Sequence, residues 1–415
     1  MATQEYVRIT FQVLFYLHLL ITAALVVFIP VYGLTSDSRS HNFHPLKWYL
    51  PILASTACGG VIGFMWQWIT FKKPRKALRA TFWFTPLLTS LMAAMFVHIG
   101  TSLSLVVGTV SFLSAVAQSF YGCCVSSRFE YATNILSLSI AFPSAKSKML
   151  ALSSILIGVL YCCFLVFGIG GATAIQEKAK LAYIYILVIM LSLCWTMQFL
   201  KNVIQVTISR VAYLHILEVH MDANEANRDT IKNFTGCVAM GSILVPVMTL
   251  LRSFARLTCC CVGCYMTVSS VLMNHGNRWG FVHVGVYNHG FLESSYVAWD
   301  MFTRVGMLPI IDSDLTGSLC FLSGVAVGAI CSMLSGMLSL LMHQSYAMDV
   351  SIYAFFIGYF MCRLAMGWLQ ACVSAYYVAY AENPMSNQFD STIPDRLEEI
   401  KRSRASSPDP ETILN

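Results

Sequence analysis

The chain has 415 residues, of which 57% are hydrophobic and 11% charged, where a soluble domain carries about 45–50% and about 25%. That composition excludes a soluble globular enzyme and defines a polytopic membrane protein. Lys and Arg total 26 and Asp and Glu 20, a net charge of +6, and no nucleic-acid partner is expected from so small an excess. The fifteen cysteines lie mostly inside apolar runs, where a reduced thiol behaves as a small hydrophobe. They do not form a secreted disulfide framework.

Residues 1–8 are short and polar and end in Arg8. Ile9–Gly33 is apolar for about 25 residues, enough to span a core of about 30 Å at about 1.5 Å per residue. It lacks a small-residue cleavage site and reads as an uncleaved anchor. Leu34–Trp48 is a polar loop. Tyr49–Phe71 spans next, followed at once by Lys72, Lys73, Arg75, Lys76 and Arg79. Ala80–His98 and Ser102–Val125 form a hairpin around Ile99–Thr101. Ser126–Lys148 is amphipathic, is broken by Pro143, and predicts a helix lying in the membrane interface. Met149–Gly171 spans, Gln176–Lys180 is a polar loop, and a span from Ala182 runs on to Ala212. His215–Lys232 is the most polar internal segment.

Phe234–Leu251 spans. Leu257–Asn277 is short and cysteine-rich, and Trp279–Asp300 is apolar with embedded polar groups. Gly317–Met342 and Ser351–Tyr380 are the last two strong runs. From Ala381 the chain is a polar tail, expected to be disordered beyond a short helix near Asp395–Arg404. The division is a transmembrane domain over 1–394 and a cytoplasmic, mostly disordered tail over 395–415. Counting Trp279–Asp300 as a span predicts an all-α protein of about ten transmembrane helices with both termini in the cytoplasm. Eighteen basic residues then fall inside, seven outside, and Arg363 lies within the membrane, as the positive-inside rule requires. Arg252, Arg256 and Arg278 are the exception: the ten-span topology puts them outside.

Polar residues inside the spans are not scattered. In Trp195–Ala212, Gln198, Asn202, Gln205 and Ser209 are spaced 4, 3 and 4, on one helical face. Amides in hydrocarbon are costly unless they meet partners, water or a ligand. The stripe therefore marks an aqueous path or a polar helix–helix seam. Tyr359, Arg363, Met366, Gln370 and Tyr377 form a second stripe. An intramembrane arginine needs a partner. Glu293 and Asp300 are the candidate anions, and an Arg363–Glu293 pair is expected. The alternative is an arginine snorkelling to a headgroup.

Aromatic residues are plentiful, among them Trp66, Trp68, Tyr121, Trp195, Tyr287, Trp299 and Trp368. Aromatic faces hold quaternary ammonium groups by cation–π attraction, although most such residues serve as interfacial belts or packing. Cys259, Cys260, Cys261 and Cys264 form a weak zinc signal with no second ligand pair, and small apolar packing is the default. His215, Glu218 and His220 are too few for a metal-oxygenase site. There is no P-loop, HExxH or G-x-S-x-G. No enzyme activity and no cofactor are expected.

Trp195, Lys201-Asn202-Val203, Gln205-Val206-Thr207 and Ser209, followed by Gly241-Ser242-Ile243-Leu244-Val245-Pro246, resemble the choline transporter-like family. Ser127-Arg128-Phe129-Glu130-Tyr131-Ala132 is similar to that family's basic loop and interfacial helix. The cysteine cluster followed by Asn277-Arg278-Trp279, Val286-Tyr287, Phe291 and Trp299 resembles its most recognisable block, and the close into Ala381-Glu382-Asn383-Pro384 also fits. The resemblance covers roughly residues 49–395. Asn288 stands where the family has a glycine, and Leu34–Trp48 is short beside the large extracellular loop of some members.

The resemblance implies ten spans, cytoplasmic termini, and ion-independent or proton-linked movement of choline or ethanolamine. The expectation is therefore a plasma-membrane or endomembrane transporter, in contact with lipids, of a choline-like small organic cation. Trp195, Gln198, Asn202, Gln205, Tyr287, Glu293, Arg363 and Gln370 are its candidate substrate residues. Helix bundles moving relative to one another would give alternating access. A non-transporting scaffold or trafficking factor, or a lipid-handling protein, is the alternative. A transporter needs a polar cavity beside residues 198–209; a scaffold would bury that stripe against neighbouring amides.

Overall fold

The computed structural model describes residues 2–35, 45–141, 145–174, 179–258, 262–342 and 347–405. The centre of the Leu34–Trp48 loop, Pro143, most of the Gln176–Lys180 loop, Cys259–Cys261 and the tail beyond Ala405 lie outside them. The described residues are helical, with turns between. In chain order the helices are α1 (Ala2–Thr35), α2 (Pro45–Lys72), α3 (Pro74–Ile99), α4 (Ser102–Val125), α5 (Phe129–Ala141), α6 (Ala145–Ala174), α7 (Ala179–Ile216), α8 (Ala223–Asn233) and α9 (Thr235–Thr258). There follow α10 (Val262–His275), α11 (Gly280–Tyr287), α12 (Phe291–Arg304), α13 (Leu308–Ser313), α14 (Thr316–Met342), α15 (Ala347–Ala365), α16 (Gly367–Glu382) and α17 (Thr392–Ala405). The chain is an all-α polytopic membrane protein, and nine stretches among the described residues are long and apolar enough to cross a bilayer.

Lipid offers the backbone no hydrogen bonds, so each apolar run closes its own as a helix. The ends are set by local chemistry. Pro74 opens α3, and Gly100, at φ 75°, closes it in the left-handed region. Thr101 and Ser104 then form a reciprocal capping box at the start of α4. Outward faces are apolar and exposed, as at Leu20, Val27, Trp83, Val110 and Leu160.

Inside, small residues let backbones approach, as membrane packing favours. The most extensive helix pair is α14 with α15. A Cβ on Gly358 would stand 2.7 Å from Cys331 Sγ and 2.9 Å from the Val327 carbonyl. Across from it, a Cβ on Gly59 would lie 3.4 Å from the Gly358 Cα, so α2, α14 and α15 meet backbone to backbone.

Three expectations change. Trp279–Asp300 is not a span. It is a hairpin of α11 and α12, with Gly280 against Ser295 and Asn277 Nδ2 donating to the Ser295 carbonyl at 2.7 Å. Trp279 and Phe302 meet edge-on at 5.5 Å. The reversal is made at Asn288, whose φ of 57° is the left-handed conformation that glycine, and next asparagine, tolerates.

Arg252 and Arg278 change sides. Arg252 Nη2 pairs with Asp312 Oδ1 at 2.7 Å, and Arg128 Nη1 donates to the Asp312 carbonyl at 2.9 Å. Arg128 follows α4 on the face that carries Lys72–Arg79, so Arg252 lies on that basic face; α9 also begins there, with Gly236 against Arg8, so the run Phe234–Leu251, expected to span, starts and ends on one side. Arg278, paired with Asp314, joins it at the start of α14. The positive-inside asymmetry is sharper than the ten-span count gave.

The last apolar run breaks at Met366 into α15 and α16. Beyond it, α17 docks on α5 and α13, with Ile393 buried and Arg396 over the Tyr131 ring at 5.7 Å. The segment expected to lie in the membrane interface is seated on its inner face: Tyr131, Ile135, Leu136 and Ile140 of α5 are all buried.

Gly358→Val should cost about 1–3 kcal/mol by overpacking. The check is the thermal midpoint of the detergent-solubilised protein; an unchanged midpoint would mean that α14 and α15 can part freely.

Candidate functional site

Helix α7 carries the expected stripe, and the structure buries most of it in a seam. Asn202 Nδ2 donates to Ser242 Oγ of α9 at 2.9 Å. Gln205 Nε2 donates to the Arg278 carbonyl at 3.0 Å, leaving its Oε1 buried without a partner among the described residues. Ser209 Oγ donates to its own helix, to the Val206 carbonyl at 3.2 Å. Neighbouring residues continue the pattern: Thr207 Oγ1 donates to Thr230 Oγ1 of α8 at 3.1 Å, and Arg210 pairs with Asp229 at 3.3 Å. Of the two readings of the stripe, the seam is what residues 202–209 form. Gln198, one turn earlier, is buried but has no hydrogen bond shown to a described residue.

At the outer part of α7, Trp195 enters an aromatic cluster with α1. Its ring lies 4.6 Å from His18 and 5.4 Å from Phe15, and Phe15 stacks on Phe199 at 4.0 Å. Its indole donates to the Ala239 carbonyl at 3.2 Å. Beside it Ser192 Oγ is a hub, 2.8 Å from His18 Nε2, 2.6 Å from Tyr161 OH and 3.0 Å from Thr22 Oγ1. Thr196 Oγ1 donates to Tyr161 OH at 3.0 Å.

At the inner end, α7, α11 and α16 converge on one carboxylate. Tyr213 OH donates to Glu382 Oε2, Tyr287 OH donates to the same oxygen at 3.0 Å, and the two hydroxyls are 2.9 Å apart. The Tyr213 and Tyr287 rings stand 6.4 Å apart edge to face, and His283 stacks on Tyr287 at 5.4 Å. Glu382 lies past the last span. Burial pushes its carboxyl above the ordinary 4.5, and the two phenols oppose that shift. Tyr287 is 44% exposed, so an aromatic face and a carboxylate are presented together. That pairing suits a small cation.

The remaining candidates do not join this group. Glu293 sits in the first turn of α12, 3.6 Å from His289, and Asp300 pairs with Arg304 at 2.8 Å. The Arg363–Glu293 pair does not form, because the hairpin at Asn288 keeps α12 from running as a span beside α15. Gln370 is buried in α16 with its Oε1 unpartnered among the described residues. The break at Met366 also divides the second stripe: Tyr359 stacks on Phe355 at 6.4 Å, while Tyr377 meets Tyr131 OH at 3.0 Å. Sequence reasoning missed Tyr213, Glu382, Ser242 and the His18–Tyr161–Ser192 group. Tyr213 carried a usable signal, since it follows Ser209 by four residues on the stripe's own face.

The fold and these clusters define a polytopic α-helical membrane protein whose polar groups are gathered along one long helix. A family model described as plasma-membrane choline transporter matches residues 109–385, well over half of the chain, and the chain belongs to that family. The match takes in Trp195, the seam and Glu382, and begins within α4. Similar relatives are Protein PNS1 of Mycosarcoma maydis, 22% identical over 52% of this chain and 46% of that protein, and Protein PNS1 of Debaryomyces hansenii, 24% identical over 49% and 45%. A CTL-like protein of Dictyostelium discoideum is 22% identical over 64% of this chain and 51% of its own length. The chain thus spans about half the length of the curated relatives it matches.

Because the Glu382 carboxyl holds its proton to higher pH folded than unfolded, its stabilising share is complete below the ordinary 4.5 and is lost as pH rises through the raised native value. Thermal midpoints measured against pH should therefore fall across that window in the wild type and flatten in Glu382→Gln. Tyr213→Phe removes a donor to the carboxylate and should extend the fall to higher pH.

Proposed function

We propose that the protein moves a choline-like small organic cation, ethanolamine included, across the plasma membrane by alternating access between helix bundles. Family membership supports the substrate class. The observation that carries the reading is the Glu382 carboxylate framed by Tyr213 and Tyr287 at the convergent ends of α7, α11 and α16. A methylated ammonium cannot donate hydrogen bonds, so a carboxylate beside aromatic faces is the chemistry that recognises it. On this reading the cation takes the place of the phenol hydroxyls at the Glu382 carboxylate, and when the cation leaves, the carboxyl takes up a proton from water, which it releases when the next cation binds. Trp195, with Gln198 beside it, is the aromatic station further along α7. Asn202 and Gln205 hold the seam that parts when the bundles move, and Gln370 lines α16 opposite.

The test is uptake of labelled choline into liposomes, with and without a proton gradient. Uptake should saturate and be competed by ethanolamine. Tyr287→Ala should weaken apparent affinity about 2–30-fold, and Glu382→Gln should abolish the response to the gradient. Wild-type uptake that survives Glu382→Gln unchanged, gradient response included, would remove this site from the path.

The burial of residues 202–209 in hydrogen bonds favours one competing reading, a scaffold acting through its docked α17 and loops. Absence of uptake from well-oriented, folded protein would select it.

A further inference from the structure

Three basic side chains meet inside the bundle, near the basic face. Lys201 comes from α7, Arg278 from the turn between α10 and α11, and Arg363 from α15. Both arginines flank Cys320 on α14: a Cβ on Gly317 would stand 3.0 Å from Arg278 Nη1, and one on Gly324 would stand 3.1 Å from Arg363 Cγ. The level is fixed by Cys320 Sγ at 3.9 Å from the Met366 carbonyl and by Gly367, where a Cβ would stand 3.0 Å from Lys201 Cγ.

The charges do not balance. Arg278 is paired with Asp314, whose Oδ1 is already taken by the Thr316 amide at 2.9 Å and hydroxyl at 2.6 Å. Lys201 is 3% exposed. Its ammonium has Asn202 Oδ1 at 3.5 Å, where a charge-assisted bond runs about 2.7–2.9 Å. No carboxylate is among the charges that act on it. Arg363, half-buried, has no carboxylate within salt-bridge reach among the described residues. Three cations thus share one carboxylate, and an uncompensated buried charge is strongly destabilising. Two buried donors are also unspent among the described residues, Arg278 Nε and, on the neighbouring α16, Ser374 Oγ.

We propose that Lys201 and Arg363, backed by Arg278, form a binding site for one small oxyanion group, a carboxylate or a phosphate. The site is independent of the cation-transport reading and stands or falls by binding, not uptake. A free solute entering from the basic face and the headgroup of a phospholipid of the same leaflet carry the same chemistry.

Purified full-length protein separates the two sources. Native mass spectrometry reads retained phospholipid, and thermal midpoints are taken in inorganic phosphate and in acetate against chloride at equal ionic strength. A saturable rise of several degrees in the wild type, lost in Arg363→Gln, establishes a free-solute site. A phospholipid retained by the wild type and absent from Arg363→Gln establishes a headgroup site. Lys201→Arg keeps the charge and should keep either response, while Lys201→Met should lose it; if Lys201→Met fails to fold, the Arg363→Gln and Lys201→Arg pair decides. No retained lipid and no saturable shift, or the same response in wild type and Arg363→Gln, overturns the proposal.

Discussion

Hydrocarbon offers a polar side chain no partner, so every amide, hydroxyl and charge within the bundle must be answered by protein. That constraint is concentrated on α7. Its successive turns bind four other parts of the chain: Trp195 and Asn202 hold α9, Gln205 the turn before α11, Thr207 and Arg210 α8, and Tyr213 the end of α16. Apolar packing would leave these helices free to slide past one another. The hydrogen bonds fix their registers, because a shift of one residue would strand several buried polar atoms at once.

Much of this was legible in the chain. A run of about 20 apolar residues has one stable solution in lipid, so the long spans could be read off directly. The stripe on α7 was visible as a spacing. Its partners were not, since Asn202 meets Ser242 forty positions on and a one-dimensional pattern holds no distance. The α11–α12 hairpin was misread for a related reason. Its composition suits a span, and the reversal depends on one left-handed residue, Asn288, and on a contact between Asn277 and Ser295.

The placement of Arg252 shows the same limit. Charge counting assigned it a side from its position between two spans, whereas its ion pair with Asp312 crosses sixty positions. Glu382 fell at the seam between the last span and the tail, where an acidic residue is ordinarily solvated. Only the fold shows that two phenols, one of them 169 positions away, close over it. Lys201 and Tyr213 are then revealed as opposite electrostatic stations on one helix, about 18 Å apart along its axis.

The break at Met366 has a mechanical side. Helix α15 is locked to α2 and α14 through glycines that leave the contacting backbones no slack, while α16 packs chiefly against α7. One residue, at φ −85° and ψ −2°, is the covalent joint between these two assemblies, in a sparsely populated region of backbone space from which small dihedral changes swing long arms. The last apolar run therefore changes partners at a single residue, bridged by the Met366 amide on the Cys362 carbonyl at 2.9 Å and the Gln370 amide on the Met366 carbonyl at 3.3 Å: its first half belongs to the glycine-packed trio and its second to α7.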